Sequence, residues 1–203
     1  MRISYAIPVC NEDKELDRLL AQLLLYETPD MEVVVQCDQG NTSPEVYRVL
    51  DKYSAFIHVI EFPLKGDFAT FKNNLKKHCT GAWIFQIDAD EYLSEGLIKN
   101  LPAILRSNPT VDLLLVPRIN TVEGLTQEHI NKWGWRVDEN GWVNYPDPQT
   151  RIIKNKPEIK WENKVHERIV GYSTAAALPY GYDLLHPKTI TRQEKQNDFY
   201  DKI

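Results

Sequence analysis

Over the first half of the chain, short apolar runs alternate with longer stretches in which apolar side chains return every three or four residues. The runs at residues 3–9, 32–37, 57–61 and 83–87 have the length and composition of strands. Between them Leu16, Leu19, Leu20, Leu23 and Leu24 repeat at helical spacing, as do Val46, Val49 and Leu50, then Phe68, Phe71 and Leu75. Strand and helix in alternation predict strand-helix-strand units, and hence an α/β fold with one mostly parallel sheet flanked by helices. After residue 108 the pattern changes. A strand is expected at 113–117, then a polar stretch carrying Trp133, Trp135 and Trp142 with Gly134 and Gly141 as breakers. Short strands are expected at 149–153, 160–165 and 182–185, and a polar helix at 189–203. No internal repeat or low-complexity linker separates the two styles, which are expected to share one core.

Composition narrows the class. With 203 residues, 42% hydrophobic and 26% charged, the chain has the make-up of one soluble globular domain. Its 24 Lys and Arg against 29 Asp and Glu leave a formal charge of −5, which offers no broad attraction to phosphate backbones or anionic lipid. Nucleic acid is therefore not expected as a partner, and a negatively charged ligand would need local help. Cys10, Cys37 and Cys79 are odd in number and form no Cys-x-x-Cys pair, so a reducing compartment is the simplest reading. The opening residues lack a signal-peptide core, and no apolar run approaches the roughly 20 residues that span a bilayer. A cytoplasmic protein is expected, with peripheral membrane contact left open. The sequence does not encode an oligomeric state in any readable form.

In an open parallel sheet, ligands bind beyond the carboxyl ends of the strands, so polar residues that follow apolar runs are the places to search. Pro8 to Asp13, Cys37 to Asn41, Lys65 to Phe68 and Asp88 to Glu91 are four such places. The last is the sharpest, because a buried run discharges into three carboxylates within four positions. Crowded carboxylates repel one another, and a hard divalent ion such as Mg²⁺ or Mn²⁺ offsets that repulsion while bridging to a diphosphate. An Asp-x-Asp taken alone is also what a solvated, helix-capping turn looks like.

The surrounding residues carry a resemblance. Gly66-Asp67-Phe68-Ala69, Lys72-Asn73, and Gly81-Ala82-Trp83 running into Asp88-Ala89-Asp90-Glu91 resemble the central signature of family 2 glycosyltransferases, in a branch related to lipopolysaccharide core and viral enzymes. Downstream, Gln149-Thr150-Arg151 and Val165-His166-Glu167 are similar to that family's Gln-x-Arg strand and Val-His-Glu, and Ile7-Pro8-Val9-Cys10-Asn11-Glu12 fits its first-strand loop. Three positions depart from the pattern: Lys72 stands where arginine is usual, Ala82 replaces an Asp, and the loop after the second strand keeps Asp38 without the usual Gly-Ser-x-Asp run.

The resemblance implies a GT-A fold across residues 1–203, with residues 1–108 binding a nucleotide sugar and the mixed region 109–203 facing the acceptor. It implies an inverting, metal-dependent glycosyltransferase that uses Mn²⁺ or Mg²⁺ and a nucleotide-sugar donor, a UDP-sugar being favoured, with a glycan or other hydroxyl acceptor. Pro8, Asn11, Glu12, Asp38, Asp67, Lys72 and Asp88 are the implied donor contacts. Asp90, His186 and Asp88 are the implied metal ligands, and Glu167 with His166 the implied catalytic pair. Asp67 is equally well placed to cap a helix, and the tryptophans have the character of a sugar platform. Other classes fit less well. A phosphotransferase with a nucleophilic strand-end Asp usually carries Asp-x-Asp-x-Thr early in the chain, and a nucleotidyltransferase needs a glycine-rich basic loop after its first strand. A non-catalytic carbohydrate-binding or scaffolding protein on a transferase fold is the alternative from a different class.

Overall fold

The computed structural model describes residues 1–200, with side chains to residue 197. Strand β1 (Ile3–Val9) shows how the fold is built, because its neighbours along the chain point to opposite faces. Ile3, Tyr5, Ile7 and Val9 enter the larger core, while Ala6 enters the smaller one on the other side. The same alternation divides β2 (Met31–Asp38) and β4 (Trp83–Gln86), whose Val33, Val35 and Phe85 face the larger core and whose Val34 and Ile84 face the smaller.

Helices α1 (Asp13–Leu25), α2 (Pro44–Tyr53) and α4 (Glu95–Ser107) supply the larger core. Leu16, Leu19, Leu20 and Leu23 of α1 are fully buried in one stripe, each contributing about 1.5–3 kcal/mol of hydrophobic stabilisation. Ser43 and Ser94 cap α2 and α4, and Pro44 opens α2 at a position where no amide donor is missed. On the opposite face lie α3 (Phe68–Lys77) and a hairpin of β9 (Lys160–Glu162) and β10 (Arg168–Val170). Ile159, Trp161 and Ile169 pack there against Ala69 and Leu75. Asn73 binds the hairpin to α3 by exchanging two hydrogen bonds with the Trp161 backbone, both at 2.8 Å.

The central sheet has seven strands, which run β11-β6-β8-β4-β1-β2-β3 across it. Here β3 is His58–Phe62, β6 is Leu113–Val116, β8 is Gln149–Lys154 and β11 is Ala175–Ala177. All neighbours are parallel except β8, which runs antiparallel to both β4 and β6. Strands from both halves of the sequence therefore share one sheet. A second sheet, β5-β12-β7, is made of β5 (Tyr92–Leu93), β12 (Leu184–Thr189) and β7 (Arg118–Glu123). It sits where β4 ends, because β5 begins two residues after Asp90.

Several expected boundaries shift. The run at 160–165 is a strand only to Glu162, and residues 163–167 form the hairpin loop, which Asn163 and His166 turn at φ 74° and 52°. Trp133 ends a short helix, α5 (Gln127–Trp133), closed by Gly134 in the left-handed conformation. His186 lies inside β12 rather than after it. The C-terminal helix α6 is Ile190–Tyr200, and residues 201–203 of the expected helix lie outside the described residues. Among the described residues, no helix is long and apolar enough to cross a membrane.

Candidate active site

A cleft of about 690 Å³ opens at the carboxyl ends of β1, β2 and β4, within the size range of small-ligand sites. Of the sequence-derived candidates, Pro8, Glu12, Asp38, Lys72, Asp88, Asp90, His166, Glu167 and His186 line it, and Asn11 and Asp67 do not. Asp67 caps α3 by accepting from the Thr70 N–H at 2.9 Å, and Asn11 is an exposed loop residue. Glu12 does local work as well: its Oε2 accepts from the Cys10 and Asn11 amides at 2.9 and 3.0 Å, fixing the turn out of β1.

Asp38 is buried at the end of β2, where Oδ1 accepts from the Leu64 N–H at 2.8 Å and Oδ2 from Asn41 at 3.0 Å. It thereby ties together the two loops that flank this part of the cleft. Lys72 projects from α3 and forms an ion pair with Glu167 of the hairpin loop, while its ammonium lies 4.6 Å from the centre of the Trp161 ring. The two residues are 95 positions apart in sequence. The loop carrying Glu167 is further held where the Phe68 N–H donates to the Lys164 carbonyl at 2.9 Å.

At the end of β4 the three carboxylates separate into different environments. Glu91 is fully buried and accepts from Arg118 at 2.9 Å and Arg151 at 2.6 Å. Arg151 also grips Asp88. Burial works against the Asp88 charge, but the Arg151 guanidinium outweighs it and holds that carboxyl well below the ordinary range. Arg151 reaches both acids because β8 runs antiparallel, which places its first residues beside the last residues of β4.

Asp90 has a different partner. Its Oδ2 lies 3.2 Å from His186 Nε2 and 3.3 Å from Arg192 of α6. Burial alone would raise the Asp90 pKa, yet the hydrogen bond and charge of His186 bring it down to about 2. The imidazole is oriented from behind. Asn120 donates its amide to Asp147 at 2.7 Å, so its Oδ1 faces His186 Nδ1, also at 2.7 Å. Nδ1 is thus turned toward Asn120 and Nε2 toward Asp90. Asp147 is itself held by Arg118, at 2.7 Å.

This geometry can be tested against a divalent ion. Among the described residues no group of three or more His, Cys, Asp or Glu is gathered as a ready-made metal cage. Asp90 and His186 Nε2 form a two-residue set facing each other, and Mg²⁺ or Mn²⁺ is commonly held by one or two protein ligands with phosphate and water oxygens completing the shell. The residues fit such an ion. Asp88 also lines the cleft, where Arg151 engages it.

Sequence reasoning did not single out Arg118, Asn120, Asp147, Lys188 or Arg192. Arg118, Asn120 and Val122 alternate along β7 and all face the cleft, a period-two signal hidden because the expected strand stopped at residue 117. Lys188 also lines the cleft, and burial lowers its pKa. Of Trp133, Trp135 and Trp142, Trp135 lines the cleft, as does Trp161 of β9; the Trp135 ring centre lies 4.6 Å from that of Trp133, which in turn stacks on His129.

With fold and cleft in view, the similarities are consistent. The chain is 24% identical over 193 residues to the SPbeta prophage-derived glycosyltransferase SunS of Bacillus subtilis (strain 168), and equally to the glycosyltransferase SunS of Bacillus phage SPbeta. Those matches cover 89% of this chain but 37% of each relative, so the chain spans little more than a third of their length. Among solved structures it resembles S. aureus TarS 1–349 in complex with UDP, with a TM-score of 0.68 and 18% identity over 92% of this chain and 60% of that one. The complex of the same TarS fragment with UDP-GlcNAc gives a TM-score of 0.66 at 18% identity, over 93% of this chain and 59% of that one. These likenesses establish a GT-A fold of the TarS kind, a mixed α/β domain around a mostly parallel sheet. The model of glycosyl transferase family 2 matches residues 4–168, well over half of the sequence, and the chain belongs to that family.

Proposed function

We propose that the chain catalyses inverting transfer of a sugar from a nucleotide-sugar donor to a hydroxyl group of a glycan or similar acceptor, with Mn²⁺ or Mg²⁺ at Asp90 and His186. One observation carries this reading: Asp38, the Asp90–His186 pair and Glu167, drawn from remote parts of the sequence, line a single cleft. Asp38 serves the nucleoside, from the end of β2. Asp90 and His186 hold the ion, which when bound neutralises charge on the diphosphate leaving group. UDP is the favoured nucleotide, a reading supported by the UDP and UDP-GlcNAc complexes of TarS.

Glu167 takes the proton from the acceptor hydroxyl. The acceptor oxygen then bonds to the anomeric carbon while the bond from that carbon to the diphosphate breaks, its electron pair leaving with the diphosphate. Direct displacement of this kind inverts the anomeric configuration. Lys72 orients Glu167 through their ion pair. His166, the other half of the candidate catalytic pair, borders the acceptor pocket from the same loop, and Trp135 offers an aromatic face to a sugar ring on the acceptor side.

Incubation with a panel of nucleotide sugars and Mn²⁺ tests the reading. Acceptor-dependent release of nucleoside diphosphate is expected, with product of inverted anomeric configuration by NMR. Sugar binding without turnover would instead identify a non-catalytic carbohydrate-binding protein, and a product of retained configuration would remove the single-displacement mechanism.

A further inference from the structure

The small sheet presents one face to the cleft. Asn120 and Val122 at alternate positions of β7 pair in register with His186 and Lys188 at alternate positions of β12, and all four line the cavity. Lys188 is thus carried along the same face as the His186 imidazole, offset by two strand residues or roughly 6.5 Å. That offset is on the scale of one diphosphate.

Its partners set Lys188 apart from the other cleft cations. Lys72, Arg118 and Arg151, the remaining Lys and Arg side chains lining the cavity, each form an ion pair with a carboxylate. Among the described residues Lys188 forms none; its ammonium donates to the uncharged amide oxygen of Gln196 in α6. This half-buried ammonium has lost water, and Asp90 and Asp88 act on it only from beyond ion-pair distance while Arg118 and Arg192 oppose its charge, a cost that an incoming anion would offset. Its acceptor is a neutral amide, so the hydrogen bond to Gln196 can be exchanged for one in which donor and acceptor are both charged.

We propose that Lys188 is the cation that binds the donor's diphosphate and stabilises the negative charge gathering on it as the sugar departs. The assignment rests on the nucleotide-sugar reading above and adds a residue of this chain to it. Gln196 holds the ammonium in place until the ligand arrives, which gives α6 a part in the donor site.

Calorimetric titration with UDP at fixed Mn²⁺, together with NMR titration of uridine, tests this. Lys188→Met is expected to weaken UDP binding by about tenfold or more, the effect of losing one charge-assisted contact worth ~1.4 kcal/mol. Uridine, which lacks the phosphates, should bind both proteins alike, and Lys188→Arg should retain most of the UDP affinity. Should the Met variant not fold, Lys188→Gln keeps the stem and a polar head and serves the same comparison. UDP affinity unchanged by removal of the charge would overturn the assignment, as would an equal loss for uridine, which would mark a structural role. Wild-type protein that binds no UDP would instead overturn the donor reading itself.

Discussion

Glu167 and Asp38 illustrate two ways a carboxylate can serve one cleft. Glu167 stands on a tight hairpin loop with an ammonium from α3 against it, an arrangement that orients an oxygen without burying it completely. Removing a general base typically costs 10²- to 10⁴-fold in rate. Glu167→Gln is therefore expected to lose sugar transfer on about that scale while binding UDP and Mn²⁺ normally, as steady-state assays beside calorimetry will measure. Asp38 is bonded on both oxygens by its own protein, so its replacement disturbs the end of the cleft beyond β2, where the nucleoside is proposed to bind. Asp38→Ala should raise the donor KM more than it lowers kcat. It should also destabilise the fold by ~1–3 kcal/mol, because the Leu64 N–H loses its acceptor; a kcat loss exceeding the KM effect would move Asp38 out of the nucleoside site.

The elements that carry these residues depend on a few backbone and charge constraints. The β9–β10 hairpin, which presents Glu167, is followed by Gly171 at φ +81°, where an added Cβ would sit 1.8 Å from the Glu158 carbonyl oxygen. Gly171→Ala is expected to cost ~1–3 kcal/mol from the backbone conformation, with the clash adding to it. A lowered urea midpoint and a parallel fall in transfer rate would register both consequences. At the far edge of the sheet, Asp112 ties β6 to neighbouring loops through Lys156 at 2.9 Å and the Ser173 N–H at 3.0 Å. The hydrogen bond from Lys156, followed by that from Ser173, brings its pKa to about 2. A folded-state pKa below the ordinary carboxyl value means a contribution to stability present above about pH 4 and lost as pH falls toward 2. The difference in melting temperature between wild type and Asp112→Asn should accordingly be full at pH 7 and vanish over that acid window.

For the whole molecule, the charge balance is the governing feature. In a chain with a formal charge of −5 the cleft itself mixes Lys72, Arg118, Arg151 and Lys188 with Glu12, Asp38, Asp88, Asp90, Asp147 and Glu167, so an anionic ligand depends on particular contacts there and not on a broad positive field. Ligand binding should then stabilise the fold by mass action. UDP with Mn²⁺ at about 100 times the dissociation constant contributes ~2.7 kcal/mol. For a chain of this size that is a rise in Tm of roughly 5–11 °C. Asp90→Ala should remove the Mn²⁺-dependent part of the rise, and an undiminished Mn²⁺ effect in that variant would place the ion elsewhere.

What the sequence by itself determined is the layered α/β architecture of its first half, because a strand such as Ile3–Val9 and a helix such as α1 each announce their buried face through their own periodicity. Asp67 as a helix cap was legible for the same local reason, since a cap involves only its own first turn. The Asp88 to Glu91 cluster was visible as composition, and the candidacies of His186 and Glu167 came from resemblance. Tertiary structure alone decided which partners those carboxylates meet: Arg151 for Asp88 and Glu91, His186 and Arg192 for Asp90. Arg151 meets Asp88 and Glu91 only because β8 enters the sheet between β4 and β6, and no local pattern encodes sheet order. The contact of Lys72 with Glu167, the Asp147–Asn120–His186 relay behind Asp90, and the placement of Lys188 beside it all join residues from separate elements. Periodicity reports what one element buries; which remote side chains meet across a cleft follows from strand order and register, and these are settled by the packing of the whole chain.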